Sequence, residues 1–285
     1  MFPVIGYILV IAGIFGGYVG GGGHIGTLIQ PFEFVIILGG AFGGFVVANN
    51  PKVLKATISA VGKVFKGSKY NREFYLETLL LLSRLFTKMR QNGLLSIEND
   101  IEAPQESELF KSAPMVLADH HAVEFITDYL RLMSSGSLDV NQIDNLMDLD
   151  IETHHEEGQL PIDALSKLAD GLPAFGIVAA VMGVVHTMQS LDKPQDVLGG
   201  LIAAALVGTF LGILISYGFV APLAANLQQK LGESTKYYQS IKAGLIATMN
   251  GYAPPTAVEF ARKVMFSSER PNFLELEEHI KSHKK

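Results

Sequence analysis

The sequence predicts an all-α fold: a polytopic membrane protein with four transmembrane helices and a helical cytoplasmic domain. Three observations carry this. Four segments, about 3–22, 32–50, 171–190 and 199–222, are apolar over the roughly 20 residues that a helix rising about 1.5 Å per residue needs to cross a bilayer core. The long stretch between the second and third segments repeats its apolar residues at helical spacing, with no convincing alternation of the kind a strand requires. Lysine and arginine are unevenly placed: none in residues 1–51, twelve in 52–170, only Lys193 in 191–198, and nine after 223. The positive-inside rule then puts the large loop and the C-terminus in the cytoplasm, and four crossings bring the N-terminus there too.

Composition agrees. Of 285 residues, 48% are hydrophobic and only 18% charged, too apolar for an ordinary soluble enzyme. The absence of cysteine excludes a disulfide framework and any thiolate nucleophile or metal site. Tryptophan is also absent, which leaves Tyr7, Tyr18 and Tyr217 as interfacial anchors. Met1 to Gly23 lacks the basic start and cleavage pattern of a signal peptide and is expected to be a retained span. Gly20 to Gly23 has no GK[ST] after it and no strand before it, so a nucleotide loop is discounted.

Residues 1–50 hold the first two spans. Gly13, Gly17 and Gly21 recur every four residues, as do Gly39 and Gly43 or Gly40 and Gly44, which predicts close helix packing within or between subunits. Asn49-Asn50-Pro51 closes the second span, and Glu33 at its other end reads first as an interfacial acid snorkelling to the surface, with a place in an ion pathway as the alternative.

Residues 51–170 form the cytoplasmic domain. A short amphipathic helix covers Val53 to Phe65. A second starts at Asn71, aligns Tyr75, Leu79, Leu82, Phe86 and Met89 on one face, and ends in cations followed by Gly93. A short acidic helix opens near Ser96-Ile97-Glu98, and Asp119 to Met133 is amphipathic up to Ser134-Ser135-Gly136. Val140 to Leu149 begins another helix, and one starting near Pro161 is expected to feed the third span.

Residues 171–222 hold the third and fourth spans. No charge occurs between Asp196 and Lys230, so the fourth helix should run past the membrane surface, with Pro222 marking a bend. Residues 223–285 are C-terminal helices and tail: amphipathic helix up to Pro254-Pro255, a short helix over Ala257 to Met265, and a basic end, His279 to Lys285, expected to be disordered.

The chemistry sits in the last two spans. Leu172 to Gln189 and Leu201 to Pro222 contain no Asp, Glu, Lys or Arg. Pro173, Gly176, Ala180, Gly183 and Thr187 share one helical stripe, and Ala205, Thr209, Gly212 and Ser216 another. Such stripes either pack closely or border a narrow wet seam. A membrane ion pathway normally needs an ionisable group. None is expected at mid-depth here, so a partner helix must bring it, and the isolated chain should conduct nothing. At about 1.5 Å per residue, Ala180 lies about 10 Å from Pro173 but Thr209 about 20 Å from Pro222. Either the prolines lie at different depths, or only one of the two residues approaches the acid at a time.

Neither histidine pair, His120-His121 nor His154-His155, has metal-ligand spacing, since adjacent helical residues do not share a face. His186 is read as hydrated from the external side. No nucleophile stands with a base, so no enzyme activity is expected.

Four motifs suggest a family. PAFGIVAAVMGVVH from Pro173, LVGTFLGIL followed by YGF and PL in the fourth span, MRQNGLLSIE from Met89, and PPTAVEFARK from Pro254 closely resemble the MotA family of flagellar motor stator proteins, within the MotA/TolQ/ExbB channel group. The resemblance covers essentially the whole chain. The TolQ and ExbB branch fits less well, because its members have three spans. The resemblance implies that Pro173 and Pro222 are the paired prolines coupling ion passage to movement. It also implies that Ala180 and Thr209 lie beside the partner's aspartate, and that Ala180, where sodium-type relatives carry threonine, marks a proton carrier. It implies further that Arg90 and Glu98 touch the rotor protein FliG; on the residues alone, both charges simply suit the dipoles of their helices. The implied partner is MotB, with a single span and a peptidoglycan-binding outer domain. Five chains of this type would surround two of MotB in the bacterial inner membrane. No cofactor, metal or nucleic-acid partner is implied. The rival reading is a non-motor membrane scaffold or a TolQ/ExbB-type energising subunit.

Overall fold

A computed structural model of the chain describes residues 2–283; they are helical, with no strand among them. The chain divides into two compact units, residues 1–67 with 157–229, and residues 68–156 with 230–285. Two helices, α9 and α11, carry the chain from one unit into the other.

The first unit opens with α1 (Phe2–Gly20), a one-turn 3₁₀ helix (Ile25–Leu28) and α2 (Pro31–Ala48). Proline at the first position of α2 suits a helix start, where its missing N–H costs nothing. Asn50 then caps α3 (Pro51–Val64) by accepting from the Val53 N–H at 3.0 Å. The third span lies in α9 (Val140–Met188), and the fourth in α10 (Gln195–Ile215), a π-helical turn (Ser216–Val220) and the start of α11 (Ala221–Met249). Four helices are thus long and apolar enough to cross a membrane. Gln195 to Met249 is helical throughout, so Pro222 does not end the fourth helix; the π turn just before it absorbs the disturbance.

The second unit is built on α4 (Arg72–Asn92), started by the Asn71 side chain and stopped at Gly93, whose φ of 86° favours glycine. After a 3₁₀ turn (Leu94–Ile97) come α5 (Glu98–Glu102), α6 (Glu108–Lys111), α7 (Pro114–Leu117) and α8 (His120–Ser135), which ends at left-handed Gly136. The rest of α11, α12 (Pro254–Val264) and α13 (Phe273–Ser282) complete it. Its core is continuous: Phe74, Leu79, Leu82, Phe86, Ile126, Leu130, Tyr237, Ile241 and Leu245 are all buried in one cluster. Tyr237 stacks on Tyr70 at 4.7 Å, and its hydroxyl lies 3.2 Å from that of Thr78.

Two expectations are corrected. The helices expected to begin at Val140 and near Pro161 are one, because Pro161 lies inside an unbroken α9. His279 does not begin a disordered tail. It lies in α13, which Asn272 and Glu275 start by a reciprocal capping box; of the expected tail, Lys284 and Lys285 lie outside the described residues. Of the close packing expected at the glycine faces of the first two spans, within or between subunits, the chain itself supplies little. A Cβ added at Gly13, Gly17, Gly39, Gly43 or Gly44 would meet nothing within 4 Å, whereas one at Gly40 would strike the Phe175 ring at 2.4 Å.

Candidate functional site

The two small-residue stripes face each other. A Cβ at Gly176 would lie 2.9 Å from the Gly208 carbonyl oxygen and 3.1 Å from the Gly212 Cα; one at Gly183 would lie 2.7 Å from the Ala205 Cβ. A Cβ at Gly212 would come within 2.7 Å of the Leu172 carbonyl oxygen. The α9 and α10 backbones therefore touch wherever both stripes carry their smallest residues. Over this length the stripes are an interface, closed rather than wet. The outward faces are apolar and unpartnered within the chain: Ile177, Val181 and Val184 on α9, and Ile202, Leu206 and Ile213 on α10, are exposed.

Proline shapes this pair in two places. Pro173 has no N–H to give to the carbonyl four residues earlier, which belongs to Ala169. Ser216 fills the gap: its buried hydroxyl donates to the Ala169 oxygen at 2.6 Å. Ser216 is also the first residue of the π turn that precedes Pro222. Within the same turn the Phe219 carbonyl accepts from the Tyr7 hydroxyl at 3.0 Å, and the two rings stack at 5.2 Å. One hydrogen bond thus ties the backbone fault at Pro173 to the helix that carries Pro222.

The antiparallel register settles the depth question. Leu172 is level with Gly212, so Pro173 is too, whereas Pro222 lies ten residues further along, about 15 Å at the usual rise. The prolines lie at different depths. Ala180 and Thr209 come close to level: a Cβ at Gly208 would lie 3.2 Å from the Ala180 nitrogen, and one at Gly176 would lie 3.4 Å from the Thr209 Cα. Ala180 and Thr209 are both half-buried, Pro173 likewise, and Pro222 is exposed.

Sequence reasoning misplaced one residue. Glu33 does not snorkel: it is 9% exposed, and its Oε2 reaches the Gly208 notch, where an added Cβ would stand 2.8 Å away. An acid of this chain therefore lies beside Ala180, against a helix pair whose own facing stripes carry none.

Arg90 and Glu98 lie in the second unit, on either side of the Gly93 turn, and both are exposed. Neither forms an ion pair among the described residues. The corner they occupy is held by others: Lys88 Nζ lies 2.6 Å from Asp100 Oδ2, and Ser107 donates to Asp100 Oδ1 at 2.6 Å. Arg90 also borders a cleft of about 260 Å³ with Met89, Leu94, Met133 and Tyr252. The histidine pairs point elsewhere. His154 Nε2 lies 3.1 Å from Ser234 Oγ and His155 Nδ1 2.9 Å from Thr235 Oγ1, while the His121 and His154 rings approach to 6.4 Å. No metal-ligating cluster occurs among the described residues.

Comparison with known proteins decides the family. A model of the motility protein A N-terminal family matches residues 4–93, and one of the MotA/TolQ/ExbB proton channel family matches residues 118–240. The motility protein A of Salmonella typhimurium is 54% identical over 99% of this chain and 96% of its own length. That of Escherichia coli is 52% identical over the same shares, and the chemotaxis protein LafT of Vibrio parahaemolyticus is 35% identical over 96% of each. The chain belongs to the motility protein A family. It is a flagellar stator subunit with a proton-channel-family domain, and this is a channel family, not an enzyme family. Two solved structures share the fold. The structure of C. jejuni MotAB superimposes with a TM-score of 0.78 at 21% identity, over 95% of this chain and 98% of that one. The flagellar MotAB stator complex of Bacillus subtilis gives 0.74 at 24%, over 90% and 92%.

Proposed function

We propose that this stator subunit works with a MotB-type partner as a proton-driven torque generator, its α9 and α10 forming one wall of the pathway and the partner's single span bringing the ion-carrying aspartate. The observation that carries this reading is the Ser216–Ala169 bond. A proline-freed carbonyl held by one side chain of the facing helix can be released and remade at little cost in backbone geometry. Pro173 and Pro222 then bracket a segment able to flex when the nearby acid gains or loses its proton. Ala180 and Thr209, close to level on the two helices, flank that acid. Ala180 offers no hydroxyl to a sodium ion, which favours the proton.

The likeness to MotAB assemblies supports MotB as partner, and the exposed apolar faces of α9 and α10 suit contact with it, with lipid and with further copies of the chain. Five copies around two of MotB, in the inner membrane with both termini cytoplasmic, accommodate those faces and the lysine and arginine distribution. Arg90 and Glu98 are the output, exposed charges on a rigid corner that meet the rotor protein FliG, and α9 and α11 carry motion between the two units.

Swimming speed measured against sodium concentration and against a protonophore tests the ion. Speed should collapse with the protonophore and ignore sodium; a sodium requirement would refute the role given to Ala180. Reversing the charge of Arg90 or Glu98 should impair motility with membrane assembly intact, and an opposite reversal on the rotor should restore it.

A further inference from the structure

Glu33 is an anomaly among the acids of this chain. A glutamate in the first turn of a helix ordinarily faces water and favours the helix N-terminus through its charge. Here the side chain turns inward from α2, is nine-tenths buried, and presents an Oε2 with no hydrogen-bond partner among the described residues. Its place exists only because residue 208 is glycine. A Cβ there would stand 2.8 Å from Oε2, 3.1 Å from the Ala179 Cβ and 3.2 Å from the Ala180 nitrogen.

No ion pair reaches it among the described residues. Within the first unit, the titratable groups on the neighbouring elements are Tyr7 and Tyr18 on α1, Glu157, Asp163, Lys167, Asp170 and His186 on α9, Asp196 on α10 and Tyr217 in the π turn, with His24 ahead of the 3₁₀ turn. None of them bonds to Oε2. An isolated carboxylate in such a place costs far more than the neutral acid, and buried charges that persist are paired or bind a cation. A small-residue stripe alone would mean only packing. An unpartnered, buried acid aimed into it requires an occupant.

We propose that Glu33 is a proton-binding site of this chain: a carboxyl that takes a proton at Oε2 in the notch between α9 and α10 and releases it toward the partner's acid at the level of Ala180 and Thr209. The inference rests on the stator reading. Its chemistry balances without a co-reactant, since the carboxylate gains one proton to become the neutral acid and loses it again. The chain then shares the pathway with its partner instead of only walling it, and the relay has two carboxyls on two polypeptides.

The test uses the full complex with its partner, in swimming cells and reconstituted in vesicles under a proton gradient. Glu33→Gln keeps the shape and removes the exchangeable proton; Glu33→Asp keeps the acid and shortens its reach. With assembly unchanged, E33Q should lose proton flux and speed severalfold and should lack the inflection in flux against pH that the wild type has, while E33D should keep a displaced inflection. An E33Q complex that conducts like wild type overturns the inference. So does a wild-type pH profile unchanged in E33D, which decides the matter should E33Q fail to assemble. Glu33-dependent sodium flux at constant pH would replace the proton as occupant and overturn the assignment. A wild-type complex silent to both ions would sink the stator reading itself.

Discussion

The two units of this chain solve opposite problems. In the second, the apolar residues are inside: Leu79, Leu82, Phe86, Ile126 and Leu245 are fully buried and ring-stacked tyrosines fill the centre. In the first they are outside. No residue of α1 is buried, and Phe2, Ile8, Leu9, Val35, Val47 and Leu206 are open to whatever surrounds the chain. The second unit buries its own core, as a soluble domain does. The first is incomplete alone: it closes along the α9–α10 seam and where Ile37 and Ala41 of α2 are buried, and depends on lipid and other subunits to cover the rest.

That contrast can be broken at its strongest point. Phe86→Ala should destabilise the second unit by about 3–5 kcal/mol, read in denaturant unfolding of the detergent-solubilised chain. Ile8→Ala, a comparable deletion on the exposed face of α1, should move the same transition by no more than about 0.5 kcal/mol. Equal losses would mean that α1 is packed after all. The seam comes next. Gly212→Val drives a branched side chain against the Leu172 carbonyl, where even a Cβ would sit at 2.7 Å, and should cost about 1–3 kcal/mol or separate the helices outright. The readout is membrane assembly with the partner, and Gly43→Val, in open space within the chain, is the control whose failure would reveal an interface between subunits.

A smaller change sharpens the comparison where the first unit behaves most like a folded core. Ser216→Ala strands the Ala169 carbonyl in a dry interior and should cost about 1–3 kcal/mol, with slower swimming at normal expression. Unchanged speed would show that the bond plays no part in coupling. The smallest effect belongs to the surface of the second unit. Hydrogen bonding from Arg72 holds the Glu275 carboxyl below its usual range. A depressed acid adds stability that is present above the ordinary glutamate value, about 4.3, and is lost as pH falls through the lower folded value. Glu275→Gln should therefore flatten the acid limb of the melting profile slightly and leave neutral pH nearly untouched, because the pair is exposed.

Much of this was legible in the residues. Asn71, Gly93, Gly136 and Pro254 mark helix ends by local chemistry, and hydropathy alone located four spans. The tail carries a local signal too: Asn272 and Glu275 stand at capping-box spacing across the start of α13 at Phe273. What stayed hidden depends on partners distant in sequence. Nothing local says that Pro161 is carried inside a helix, or that Ser216 repairs the carbonyl Pro173 leaves free. Glu33 is the plainest case. Its position in the first turn of α2 fits a surface acid equally well, and only the Gly208 notch, far along the chain, turns it inward.

In the proposed pathway this chain holds one part and a partner completes it. The most direct measurement is proton flux into vesicles containing the purified chain alone, beside vesicles containing the chain co-assembled with a single-span, aspartate-bearing partner. Flux is expected only in the second. Flux through the chain alone would contradict it.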